Sequence, residues 1–236
     1  KLLNGIWIPQ AFNTASTDTL VTDNLNVNLQ FVGNANDEED NYDGTPTSVN
    51  FLSNNYGIAD FNGSSSKLEL GAGALASGTG AKSITMWIAT TTTAYSSLVK
   101  TGNGSANQYW FFRVNSGTTL GISGFLGSGD FDVNVSHTGL FNGSWHQVAV
   151  TYNGTTQELF VDGQSVGTKT MSSLNIPSQK VFIGYQANSN GSSPSSYFDG
   201  QIGEVQFYND QLTKEEVLQN YNATKHKYAY GINGFW

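Results

Sequence analysis

Trp145-His146-Gln147-Val148-Ala149-Val150-Thr151-Tyr152 runs into Asn153-Gly154-Thr155, and Glu158-Leu159-Phe160-Val161 then runs into Asp162-Gly163. The first run is rich in aromatic and β-branched residues and alternates in part between apolar and polar positions. That pattern suits a strand with one buried face. Asn-Gly and Asp-Gly tolerate positive φ and close tight hairpins between such runs. The stretch therefore reads as two strands and their turns, and most of the chain follows the same pattern. Ile84-Thr85-Met86-Trp87-Ile88, Lys180-Val181-Phe182-Ile183-Gly184 and residues 201–208 are further β-rich runs. Turn clusters recur at Asn62-Gly63-Ser64, Gly102-Asn103-Gly104-Ser105, Asn142-Gly143-Ser144 and Asn190-Gly191-Ser192. Many short strands with turn signals between them predict an all-β sandwich or barrel.

One segment breaks the pattern. Residues 212–221 predict a short helix, because Thr213 and Glu216 are spaced for a capping box. Leu212 is placed to staple onto Val217, and Val217, Leu218 and Tyr221 make one apolar stripe. A lone late helix in an all-β chain is expected to cover a sheet edge or an open end. The chain has 236 residues, enough to bury one core. Charged residues are 12% and aromatics 13%, a balance that excludes a disordered chain. The net charge of -8 argues against nucleic acid and anionic membrane surfaces as partners. No stretch is long and apolar enough to insert in a bilayer as a helix. The absence of cysteine excludes disulfides, thiolate metal sites and a cysteine nucleophile. Residues 1–20 lack periodicity, and residues 225–236 are aromatic-rich. They read as an N-terminal extension and a C-terminal tail flanking a domain at 21–224, either packed on it or docked to other subunits of an assembly.

Several motifs follow one another in order. They are Phe31-Val32-Gly33-Asn34-Ala35-Asn36-Asp37, Gly57-Ile58-Ala59-Asp60-Phe61-Asn62-Gly63, Leu68-Glu69-Leu70, Ile84-Thr85-Met86-Trp87, and Leu98-Val99-Lys100 with Gly102-Asn103-Gly104. The opening stretch, Val161-Asp162-Gly163, Ile183-Gly184, Phe198-Asp199-Gly200-Gln201-Ile202-Gly203-Glu204-Val205 and the capped helix complete the series. From Leu25 to Tyr221 this succession resembles the laminin-G-like (LamG) jelly roll of the concanavalin A-like lectin/glucanase superfamily. The resemblance implies a two-sheet antiparallel jelly-roll β-sandwich with one short C-terminal helix. Trp87 and Trp145 are expected in its core. His146, neighbouring Trp145 on a strand, faces the other way and is expected to be structural.

Some members of the resembled superfamily hydrolyse glycosides with two carboxylates about 5 Å apart on one strand face. The nearest pattern here, Glu38-Glu39-Asp40-Asn41-Tyr42-Asp43, ends in a shorter acid and falls in a loop, and Glu158 with Asp162 lacks the spacing. The chain is therefore expected not to be an enzyme. Asn36, Asp37, Asp40 and Asp43 concentrate hard oxygen donors, which suit calcium. The resemblance implies calcium at Asp37 with a second aspartate from a later strand, but Gly203 stands where that ligand is expected. Shallow sugar sites use aromatic faces beside amides, and the loops offer Tyr95, Asn103, Tyr109, Tyr185 and Tyr197 for that role. Taken together, the expectation is a non-catalytic carbohydrate-binding or adhesion module. It would face a glycan or glycoprotein surface, outside the cell, on a cell surface or on a virion. The alternatives are a structural or decoration protein of a virion or other large assembly and, last, a glycoside hydrolase.

Overall fold

The computed structural model describes residues 2–3, 6–7, 18–52, 57–105, 107–115, 117, 119–125, 130–171 and 174–228. Leu2–Leu3 (β1) and Ile6–Trp7 (β2) form a small antiparallel pair. The remaining described strands make two antiparallel sheets. The seven-stranded sheet runs in the order β12 (Asp130–Ser136), β11 (Thr119–Phe125), β10 (Tyr109–Asn115), β9 (Ser96–Gly102), β16 (Val181–Ile183), β7 (Lys67–Leu70), β4 (Thr45–Thr47). The eight-stranded sheet runs β15 (Gln164–Thr170), β14 (Thr156–Val161), β13 (Trp145–Tyr152), β8 (Lys82–Ala89), β17 (Asp199–Tyr208), β6 (Ile58–Asn62), β5 (Asn50–Leu52), and β3 (Leu25–Leu29) also pairs with β17. The two-sheet sandwich closed by a helix is the architecture the motif order implied.

Alternation builds the core. Val148, Val150 and Tyr152 of β13 lie opposite Met86, Ile84 and Lys82 of β8. These apolar residues meet Trp110, Phe112 and Val114 of β10 and Val181 and Ile183 of β16 in one buried cluster. Each large side chain removed from water there contributes about 1.5–3 kcal/mol. Lys82 shares this inward face and is fully buried. Its ammonium donates to the Gly78 and Gly80 carbonyls and lies over the Tyr152 ring.

The helix α1 (Lys214–Tyr228) lies on the outer face of the eight-stranded sheet. Its capping box forms as expected: Thr213 N donates to Glu216 Oε2 at 2.8 Å, and Glu216 N donates to Thr213 Oγ1 at 3.2 Å. Leu212 and Val217 share one apolar cluster with Ala149, Phe160 and Tyr208. The buried face differs from the expected stripe. It consists of Val217, Asn220, Thr224 and Tyr228, while Leu218 is exposed. Asn220 and Thr224 can be buried because their polar side-chain atoms are hydrogen-bonded. Asn220 accepts from Val21 N and donates to Tyr208 Oη, and Thr224 Oγ1 accepts from Trp87 Nε1 at 2.9 Å. The helix also runs past the expected boundary at 224, taking residues 225–228 from the expected tail. Residues 229–236, and most of 1–20, lie outside the described residues, as does the docking role expected of both ends.

Trp87 is buried as expected, but it and Trp145 lie between the eight-stranded sheet and the helix, not between the two sheets. On β8 and β13 they have the parity of Thr85 and Ala149, not of the core residues, so they face the helix. Trp87 stacks on Tyr221 and on Tyr228, with ring centroids 5.7 and 4.7 Å apart, and Trp145 packs on Tyr228 at 4.8 Å. Tyr228 reaches a bulge where β17 slips against β8 between Ile202 and Val205, and its hydroxyl accepts Glu204 N at 2.8 Å. The bulge explains Gly203. A Cβ there would stand 2.6–2.7 Å from the Tyr228 ring and hydroxyl, so only glycine leaves room. His146 is structural as expected, with Nδ1 2.7 Å from Asp162 Oδ2 beside the Asp162-Gly163 turn. Gly203→Ala should therefore lower stability by about 1–3 kcal/mol through overpacking. Urea denaturation followed by tryptophan fluorescence measures this directly, since Trp87 and Trp145 report on the displaced ring.

Candidate functional site

The outer face of the seven-stranded sheet carries an unusual row. Strand register places Glu69, Phe182, Lys100 and Phe111 opposite one another across β7, β16, β9 and β10. Paired residues share a face, and here it is the face away from the core. The row is nevertheless buried at its middle. Phe182, Lys100 and Phe111 are 0%, 3% and 1% exposed. Residues 184–198 fold over Phe182 and form a third apolar cluster of Phe182, Tyr185 and Ala187, with Tyr197 packed against it. This covering loop is itself a small hairpin. Gln186 and Ser195 exchange both backbone hydrogen bonds, and Asn188 N donates to Ser192 O. Gly184 opens the loop at φ +76°, where a Cβ would strike the Phe61 ring at 2.2 Å.

Between this loop and the β9–β10 turn lies a cleft of about 370 Å³. Lys100 is set among the strand residues that line it, Gly104 and Tyr109 form one wall, and Gln186, Ala187, Asn188, Ser189, Ser193 and Ser195 form the other. Lys100 Nζ donates to Gly102 O at 2.9 Å and to Ala187 O at 2.6 Å. It also lies 5.5 and 5.4 Å from the ring centroids of Tyr109 and Phe182. Burial disfavours its charged form and brings the ammonium down to about 8. The lining is otherwise uncharged: hydroxyls, amides and one aromatic ring. Such groups can donate to and accept from a ligand rich in hydroxyls while the ring covers an apolar surface.

The sequence-predicted ligand residues converge on this face but take different parts. Tyr109 lines the cleft. Tyr185 is buried beneath the loop, donates to Glu69 Oε1 at 2.7 Å and stacks on Tyr197. That hydrogen bond and burial hold its hydroxyl well above the usual tyrosine range, with burial the larger cause. Asn103 is occupied in the β9–β10 turn, donating to Gln108 Oε1 and accepting from Ser105 N. Tyr95 is 43% exposed and packs edge-on against Phe111 on the same face. The polar residues missed are Lys100, Gln186, Ser189, Ser193 and Ser195. A lysine ending the apolar run Leu98-Val99 was the available signal.

The acidic loop is arranged for its own backbone. Asp37 is buried. Its Oδ1 accepts Asn28 N and Glu39 N, and its Oδ2 accepts Asn41 N and Tyr42 N, at 2.7–3.2 Å. Asp43 Oδ1 accepts Asp37 N, while Asp40 and Asn36 are exposed. Asp37 is thus engaged by four backbone amides, and the Tyr228 ring fills the space beside Gly203. Among the described residues no group of three or more acidic or histidine side chains could hold a metal ion.

The profile of the concanavalin A-like lectin/glucanases superfamily named Laminin_G_3 matches residues 62–218, a span that includes Lys100, Tyr109 and the covering loop. The chain belongs to this family. No curated protein sequence matches this Laminin_G_3 domain significantly. Solved structures do resemble it. The receptor binding domain of botulinum neurotoxin C/D mosaic serotype aligns at TM-score 0.66 and 13% identity over 84% of this chain and 51% of that one. The binding domain of botulinum neurotoxin DC, solved in complex with SialylT, aligns at 0.66 and 16% over 86% and 52%. Domain 4 of AbnA, a GH43 extracellular arabinanase from Geobacillus stearothermophilus solved with arabinotriose, aligns at 0.64 and 20% over 84% and 98%. At these identities the likeness shows the fold. The Laminin_G_3 domain spans about half the length of the neurotoxin chains and nearly all of the arabinanase domain.

Two predictions follow from the buried groups. Asp37→Ala leaves four backbone N–H groups without their acceptor and should cost about 3 kcal/mol of unfolding free energy, measured by urea titration. Lys100 is lowered from 10.5 to about 8, so between those values the unfolded chain binds a proton that the folded chain does not. Stability of the wild type relative to Lys100→Met should therefore rise as pH climbs through that window. Paired denaturation curves at neutral and alkaline pH check the sign.

Proposed function

We propose that this chain is a non-catalytic carbohydrate-binding module that engages glycans through the cleft over Lys100 and Tyr109. The observation that carries this reading is the cleft's lining. It has one aromatic ring, five residues with hydroxyl or amide side chains on a covering loop already closed by its own hydrogen bonds, and an ammonium beneath. A preformed site binds without spending affinity on ordering itself. The arabinanase domain solved with arabinotriose and the neurotoxin domain solved with SialylT support the same reading by analogy of fold. Hydrolysis would need a carboxylate pair, and no aspartate or glutamate lines the cleft. Asp162 is paired with His146, and Glu158 with Lys214. The proposed setting is outside the cell or on a cell or virion surface, where an adhesive role needs only binding. No helix among the described residues is long and apolar enough to cross a membrane.

A glycan array probed with the full chain tests the reading, followed by calorimetry on the best ligands. Binding to a related set of oligosaccharides is expected, with Tyr109→Ala weakening it about tenfold, the effect of losing a central aromatic contact. Binding is expected to be equal in calcium and in chelator. A folded, monodisperse sample that binds nothing on the array would count against the reading, and loss of binding in chelator would count against the calcium-free part of it.

A further inference from the structure

We propose that the cleft selects glycans bearing a carboxylate, and that the Lys100 ammonium is the group that reads the acid. This deepens the proposed function and rests on it. Lys100 is 3% exposed yet lines the cleft. An ammonium carries three donors. Two go to the carbonyls of Gly102 and Ala187. Those oxygens and the faces of Tyr109 and Phe182 ease the burial of the charge without neutralising it. The ion pairs Lys180–Glu69, Lys214–Glu158, Lys227–Glu204 and His146–Asp162 all lie elsewhere. A buried cation with no counter-ion is costly, and the cost is removed by a partner that brings the opposite charge.

A sugar carboxylate fits that vacancy in the charge balance. It accepts the third N–H in a charge-assisted hydrogen bond, which is about twice as strong as a neutral one. The hydroxyls of the same sugar would face Asn188, Ser193, Ser195 and Gln186, and an apolar ring face would lie on Tyr109. One ammonium matches one negative charge, whereas a phosphate monoester carries about 1.5–2 at neutral pH. The protein's net charge of -8 repels anions at a distance, but salt screens that repulsion beyond about 8 Å. Discrimination therefore resides in the contact at Lys100. Lys82 is the internal contrast. It is equally buried and also lies at about 8, but it is fully enclosed, lines no part of this cleft and ties two glycine carbonyls at the end of the sandwich.

The test is calorimetry with the full chain and four probes: arabinotriose as the neutral sugar, an oligogalacturonate, sialyllactose, and a sulfated disaccharide. An acidic probe should bind about tenfold tighter than the neutral one, the effect of one charge-assisted hydrogen bond. Which of the two carboxylates wins identifies the acid as a uronate or a sialic acid. Lys100→Met should bring the acidic-to-neutral ratio close to one. With the unmodified protein, rising salt should weaken the acidic probe more than the neutral one, a readout that needs no variant to fold. Equal binding of neutral and acidic probes, a preference that survives Lys100→Met, or no difference in salt response overturns the assignment while leaving the glycan reading intact. Preference for the sulfate ester overturns the carboxylate choice. Binding of no probe overturns the glycan reading and this inference with it.

Discussion

Lys100 Nζ joins two carbonyls: that of Gly102 at the end of its own strand, and that of Ala187 in a loop 87 residues further on. The candidate site depends on that tie. It holds the 184–198 loop against the β9–β10 hairpin, so the loop becomes one wall of a cleft and not merely a cover. The tie also requires an ammonium to be buried on the outer face of a sheet, and the rings of Tyr109 and Phe182 supply the negative faces that make this tolerable. Phe182 in turn is buried because Tyr185 and Ala187 close over it. Charge, loop and aromatic cluster are one arrangement.

The same economy governs the other sheet. Its outer face is covered by α1, and what lies between includes a layer of hydrogen-bonded polar groups. Thr85 bonds Gln206, Gln206 bonds Asn28, and Ser83 links Asp210 O to Leu212 N. All eight residues of β8 are buried in consequence. A sheet covered on both sides shows no alternation in burial, because polar residues on the covered outer face are as hidden as the apolar ones on the inner face.

That fact sets what could be read from the chain alone. The 145–163 stretch announces its strands through Asn-Gly and Asp-Gly turns, and those turns depend on local φ preference, which sequence carries directly. The helix start is legible for the same reason, since Thr213 and Glu216 satisfy each other within one turn. What sequence could not carry is which residues a covering element would hide. Asn220 and Thr224 look like solvent residues until Tyr208 and Trp87 are seen to bond them. Trp87 looks like core because tryptophan usually is, and only the topology shows that its face lies under α1. Tyr185 reads as a loop aromatic free to stack on a ligand, but Glu69 on a neighbouring strand captures its hydroxyl. Gly203 reads as a missing ligand, and the structure shows it as room made for Tyr228.

The two covers also give the molecule a direction. Val21 and Tyr228 both rest on the outer face of the eight-stranded sheet, Val21 through Asn220 and Tyr228 against Trp87. The cleft opens on the outer face of the opposite sheet. Val21 and Tyr228 therefore lie on one side of the sandwich and the cleft on the other. A ligand approaching the cleft meets the sandwich from the side opposite α1.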